Sequence, residues 1–160
     1  MDRRQSDALT DRQGTGPAGL HWTNGMAEQS RLLLSIIELG GYPNFRPLYE
    51  SCGYRVVTQT RMRKAIGFLK QQAPDVIVAE FNFQSDFRDR TSSLESLLAV
   101  VQRLPDTRVI VFYENEFAPQ FAKLCSRLPV HHALAFPVVE ADLRNVLNEV
   151  AAASDPAGIV

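Results

Sequence analysis

The chain has 160 residues, 45% of them hydrophobic and 22% charged, which suits one domain with a proper core rather than two. Its formal net charge of -1 gives no electrostatic footprint for a nucleic-acid backbone, and the one tight basic cluster, Arg61, Arg63 and Lys64, reads as a solvated helix face. No run approaches the ~20 apolar residues of a membrane span, and Arg3 and Arg4 precede polar residues rather than the apolar stretch of a signal peptide, so a cytoplasmic protein that binds neither nucleic acid nor membrane is expected.

Residues 1–28 mix Gly, Pro, Ser, Thr and charge, without helical or strand periodicity. They predict a flexible N-terminal tail before a domain over 29–152, with a second flexible tail over 153–160. Strand and helix signals then alternate. Arg31 to Ile37 is an almost continuous apolar run, the pattern of a strand buried on both faces of a parallel sheet. Asn44 is placed to cap a short helix that buries Phe45, Leu48 and Cys52 and ends at Gly53. Tyr54 to Thr58 is a β-branched strand, and Met62, Ala65, Ile66 and Leu69 mark a helix that stops before Pro74.

The strand Val76 to Phe81 leads through a polar loop to Ser92 and Glu95, which read as a capping box for a helix buried through Leu94, Leu97, Leu98 and Val101. Arg108 to Tyr113 is the fourth strand, and Phe117, Phe121, Leu124, Cys125 and Leu128 stripe the fourth helix. His132 to Phe136 is the fifth strand, after which Glu140 or Asp142 opens a last helix buried through Leu143, Val146, Leu147 and Val150. Five strand–helix units in strict alternation imply a single doubly wound α/β domain of flavodoxin type, a (βα)5 parallel sheet with helices on both faces. In such folds ligands sit beyond the carboxyl ends of the strands.

Few residues there carry recognisable chemistry. Cys52 and Cys125, the only two cysteines, sit in apolar helical patterns and read as buried thiols. His131 and His132 have no zinc-ligand spacing and read as a surface pair. The chain has no Gly-x-Ser-x-Gly elbow and no nucleophile–base–orienter set, so no catalytic residue is assigned and a non-enzymatic role is expected. No metal or cofactor is expected either. The alternative is a small domain that binds a nucleotide or other anion at the strand edge, through Gly40, Gly41 and Asn44 and through Asp86, Arg88, Asp89 and Arg90 of the loop after strand three.

Three motifs carry a family resemblance: Gly53-Tyr54-Arg55-Val56 at strand two, Pro74-Asp75-Val76-Ile77-Val78-Ala79 at strand three, and Pro137 after strand five. Over Arg31 to Ala151 the chain resembles the receiver domain of bacterial two-component response regulators. The resemblance implies strand order 2-1-3-4-5 and a cis Phe136-Pro137 bond. It also implies that Glu80 occupies the phosphoacceptor position, where receivers carry aspartate. The acidic pair that holds Mg²⁺ after strand one matches Ile36 and Ile37, with Glu38 beside them. The hydroxyl residue of strand four matches Tyr113, and the lysine before the proline matches Phe136.

Two isoleucines supply no oxygen ligand for a hard cation. Glutamate is one methylene longer than aspartate, and misplacing an attacking group by about 1 Å costs ~100-fold. The chain therefore reads as a degenerate, pseudo-receiver signalling module that works by binding a protein partner or by dimerising, or alternatively as one in which Glu80 imitates a phosphorylated aspartate. By the same resemblance its interaction surface is the face built from helix four, strand five and helix five, through Phe117 and Val138 with a polar rim of Glu116, Gln120 and Lys123.

Overall fold

The computed structural model describes residues 31–39, 41, 43–83 and 93–154. The two expected tails fall almost wholly outside them, except that the last helix runs through Ser154 and so takes in the first two residues of the second tail. The strands are β1 (Arg31–Ile36), β2 (Tyr54–Gln59), β3 (Val76–Glu80), β4 (Arg108–Tyr113) and β5 (His132–Ala135). The helices are α1 (Arg46–Ser51), α2 (Met62–Leu69), α3 (Leu94–Val101), α4 (Ala118–Arg127) and α5 (Glu140–Ser154), with a 3₁₀ turn at Asn115–Phe117 before α4. All four strand pairings are parallel and the order is β2-β1-β3-β4-β5, as the resemblance implied.

Burial follows position in the sheet. All five residues of β3 are buried, β1 is buried except at Arg31, and β4 is buried except at its two ends. These are the near-continuous apolar runs of the sequence, as a sheet covered on both faces requires. β2 lies at an edge and alternates buried with exposed or half-buried residues. Its free edge is partly closed by Arg46, whose Nη2 donates to the carbonyl of Val56 at 3.3 Å.

Because strand side chains alternate, each strand contributes to two cores. On one face Leu33, Val76, Val78, Ile110 and Phe112 meet Phe45, Leu48 and Tyr49 of the α1 region and Leu143, Leu147 and Val150 of α5. On the other, Leu34, Ile36, Ile77, Ala79, Val109 and Val111 meet α2, α3 and α4 through Ala65, Leu69, Leu97, Leu98, Phe121 and Leu124. Gly53 between α1 and β2 has φ 94, a conformation that costs any residue with a Cβ, and it lets α1 turn directly into the sheet. The Phe136-Pro137 bond is cis, as expected.

The capping expectations need adjustment. Asn44 does accept the Arg46 N–H at 3.1 Å, but from one position ahead of the helix cap, which is Phe45. Ser92 lies outside the described residues, and α3 is entered at Ser93, whose hydroxyl makes no cap bond. Cys52 and Cys125 are half-buried free thiols rather than fully buried ones, one packed against each core. Among the described residues no helix is long and apolar enough to cross a membrane.

The histidine pair is not merely a surface feature. His131 Nδ1 accepts the backbone N–H of Val109 at 3.0 Å, which ties the entry of β5 to β4. Burial, then Arg108, then His132 hold the His131 imidazole below its ordinary pKa. His132 itself faces Glu149 of α5 at 3.9 Å.

Two outcomes follow. Leu97 is fully buried, so Leu97→Ala should cost about 2–5 kcal/mol, read as a lower urea midpoint at unchanged slope. A histidine with a depressed folded pKa binds fewer protons than the unfolded chain, so its contribution is complete above an unfolded value of about 6.5 and is lost as pH falls through the folded value. The melting temperature should therefore fall more between neutral and mildly acidic pH in the wild type than in His131→Asn.

Candidate functional site

The carboxyl ends of β1 and β3 meet around two carboxylates. By alternation Glu80 shares a face with Val76 and Val78, the face covered by α1, and only 3% of it is exposed. β1 ends at Ile36, and one further bond, Ile37 N–H to the Gln59 carbonyl at 2.9 Å, continues its pairing with β2. The chain then turns, and the next two backbone amides, those of Glu38 and Leu39, both donate to Glu80 Oε1 at 3.2 Å. Asn82 Nδ2 donates to the same oxygen at 3.3 Å and lies 3.5 Å from Glu38 Oε1. Glu38 Oε1 also accepts the Ser93 hydroxyl at 2.7 Å, which explains why that hydroxyl does not cap α3.

The arrangement is a carboxylate held by the chain's own donors. A buried carboxylate is tolerated when hydrogen bonds replace its water, and bonds to a charged acceptor are the stronger kind. Glu80 thus clamps the β1–α1 loop to the end of β3. Sequence reasoning paired Glu38 with Glu80 in position but did not single out Asn82 or Ser93. Asn82 carries no signal in the sequence beyond lying two residues after the end of β3, and Ser93 reaches Glu38 across 55 residues of chain.

The remaining expected positions divide. Ile36 is 2% exposed and belongs to the core on the α2–α4 side, whereas Ile37 is 39% exposed. Neither supplies an oxygen, and Glu80 Oε1 is already committed to the loop amides, so the side chains present do not fit a Mg²⁺ site. Tyr113 packs its ring on Phe121, with centroids 4.7 Å apart and nearly parallel planes. Phe136 and Pro137 are exposed at the end of β5. Of the anion-loop candidates, Gly40, Asp86, Arg88, Asp89 and Arg90 lie outside the described residues. Gly41 adopts φ 88 in the turn after β1, and Asn44 spends its side-chain oxygen on Arg46.

The interaction surface expected at Phe117 and Val138 does not form one face. Val138 is 8% exposed and is core between the sheet and α5. Phe117 is half-buried on the opposite side, its ring 5.4 Å from that of Phe83. Glu116 and Lys123 are exposed, and Gln120 is half-buried with its Oε1 lacking a partner. Large hydrophobics that are exposed among the described residues are Ile37, Leu39, Phe136 and Val139, in the loops after β1 and β5. The reason is local: Val138 packs into the core between the sheet and α5, and its neighbour Val139, 54% exposed, takes the outward position.

Comparison with solved structures decides the architecture. A chemotaxis protein of Vibrio cholerae, CheY4, superimposes with a TM-score of 0.57 at 18% identity, over 75% of this chain and 98% of its own. A response regulator receiver protein from Sinorhizobium medicae gives 0.62 at 18%, over 79% and 98%. The fold is that of a response-regulator receiver domain. A protein described as one of a family of redox sensors in the streptococci, evolved from two-component response regulators, shares the receiver fold at a TM-score of 0.55 and 14% identity, over 76% of this chain and 51% of that one. No protein-family model and no curated protein matches the sequence.

The clamp makes a prediction about side-chain length. Glu80→Ala leaves the Glu38 and Leu39 amides without their acceptor and should destabilise the domain by about 1–3 kcal/mol. Glu80→Asp, one methylene shorter, should also lower the melting temperature, because it no longer reaches both amides.

Proposed function

We propose that the chain is a non-enzymatic signalling module, a pseudo-receiver that acts in the bacterial cytoplasm by binding a protein partner or a second copy of itself. The observation that carries the reading is the engagement of Glu80: its Oε1 accepts two loop amides and Asn82, in a residue 97% removed from solvent by the neighbouring chain. A phosphoacceptor needs a carboxylate oxygen open for in-line attack and a cation beside it to offset charge. Here the phosphoacceptor position instead performs a structural task. The isoleucines at 36 and 37 and the ring of Phe136 support the same reading, because they take the places of the metal ligands and the compensating lysine. The streptococcal redox sensors are a precedent for this fold serving another input. The exposed Ile37, Leu39, Phe136 and Val139 supply apolar area of the kind that partner surfaces use.

Incubation with acetyl phosphate and Mg²⁺ should leave the intact mass unchanged, with a phosphorylatable receiver treated in parallel as the positive control. A stable phosphoryl adduct on Glu80 would overturn the proposal.

A further inference from the structure

Helix α2 and the strand before it are unbalanced in charge. Between Glu50 and Asp75 the chain carries Arg55, Arg61, Arg63, Lys64 and Lys70 and no acidic residue, although the formal net charge of the protein is -1. All five are exposed, and among the described residues none of them forms an ion pair. Two of them, Arg63 and Lys70, belong to the wall of an open groove of about 480 Å³ between α2 and α3. Met62, Ile66 and Gly67 complete its α2 side, and Ser93 and Ser96 stand across from them at the start of α3. Among the described residues no carboxylate lines it.

The sequence places the α2 side on one stripe. Arg63, Ile66, Gly67 and Lys70 follow the i, i+3, i+4, i+7 spacing of a single helix face. A cation therefore stands at each end, the two about 10.5 Å apart along the axis, with an apolar stretch between them. Gly67 is the residue that the fold does not account for. Glycine is unfavourable inside an exposed helix, yet a Cβ built there would meet nothing within 4 Å among the described residues, so no internal packing asks for its absence. Without a side chain at that point, another chain has room to lie close against α2.

These features select the occupant. Basic side chains without internal partners attract carboxylates or phosphates. The Ser93 hydroxyl is already given to Glu38 Oε1 at 2.7 Å, so the attraction comes from the two cations. A phosphate site holds one group with several fixed donors, which two long side chains two turns apart do not supply, and a small anion would leave the apolar floor wet. A second helix matches better, because its carboxylates recur at the same two-turn spacing and its apolar ridge covers Met62 and Ile66.

We propose that the groove between α2 and α3 receives an acidic amphipathic helix of a protein partner, with carboxylates on Arg63 and Lys70 and an apolar ridge against Met62, Ile66 and Gly67. The assignment rests on the partner-binding part of the proposed function and names the surface and the chemistry of that partner.

The test is an amide NMR titration of the full chain with an alanine-rich helical peptide of about 20 residues that carries leucine and glutamate at heptad spacing on adjoining faces. Saturable shifts at Arg63, Gly67, Lys70 and the start of α3 are expected, and they should weaken as salt rises. The same peptide with lysine for glutamate, and a scrambled peptide of the same composition, should not bind. Arg63→Gln and Lys70→Gln, both at exposed positions, should each weaken binding by about 2- to 5-fold. Gly67→Leu fills the groove and should weaken binding at least ~5-fold while the melting temperature holds or rises, because leucine is the better helix former. Absence of saturable binding at millimolar peptide, equal binding of the lysine or scrambled peptide, the same shifts from tripolyphosphate alone, or shifts centred on Ile37, Leu39 and Phe136 would each overturn the proposal. So would full affinity in Gly67→Leu or in the Arg63→Gln, Lys70→Gln double variant. The titration contains no phosphoryl donor, so its failure leaves the Glu80 mass measurement unaffected, and a phosphoryl adduct on Glu80 is scored separately from the groove.

Discussion

A carboxylate stands at the end of the most deeply buried strand, and the neighbouring loop is arranged to accommodate it. All five residues of β3 are buried, and the last of them is Glu80. A buried polar group there is tolerable only if donors replace the lost water. The donors come from the first two free amides of the β1–α1 loop and from Asn82. Glutamate has the reach for this contact, and its side chain links the end of β1 to the end of β3. Glu38 is drawn into the same cluster, held by Ser93 at the start of α3, so that three elements meet at one polar knot.

That knot sits on a scaffold whose rigidity has a simple origin. β1, β3 and β4 are sandwiched between two apolar layers, with α1 and α5 on one side and α2, α3 and α4 on the other. Interior packing of this density has few ways to rearrange, so the loops at the carboxyl edge inherit fixed starting points. Other residues at this edge are taken up by packing as well. Ile36 is absorbed into one core, Tyr113 lies against Phe121, and Phe136 is exposed apolar surface.

Much of this was legible in the chain itself. The apolar runs of β1, β3 and β4 declare strands buried on both faces, and the i, i+3, i+4 stripes of α2 to α5 declare their buried sides, because local periodicity and burial are the same fact seen twice. The end of β3 and the carboxylate on it could be read directly. Contacts between distant residues could not. The Ser93 hydroxyl reaching Glu38 depends on how two loops 55 residues apart are brought together. Val138 and Val139 show the other limit: they are adjacent valines, and which one faces inward is decided by the geometry after Pro137, so the buried one was read as surface. Phe117 failed for a related reason, since its packing on Phe83 involves a segment with no periodicity to reveal its direction.

The central claim is that Glu80 holds the β1–α1 loop in one state without an external ligand. Amide hydrogen exchange of the wild-type chain tests it most directly, because among the described residues the Glu38 and Leu39 amides donate to that carboxylate. The account predicts that both amides are protected well beyond exposed loop amides such as that of Gly41, and that Mg²⁺ with acetyl phosphate leaves their exchange unchanged. Exchange of both at the rate of an open loop, or a change in protection when Mg²⁺ and acetyl phosphate are added, would contradict it.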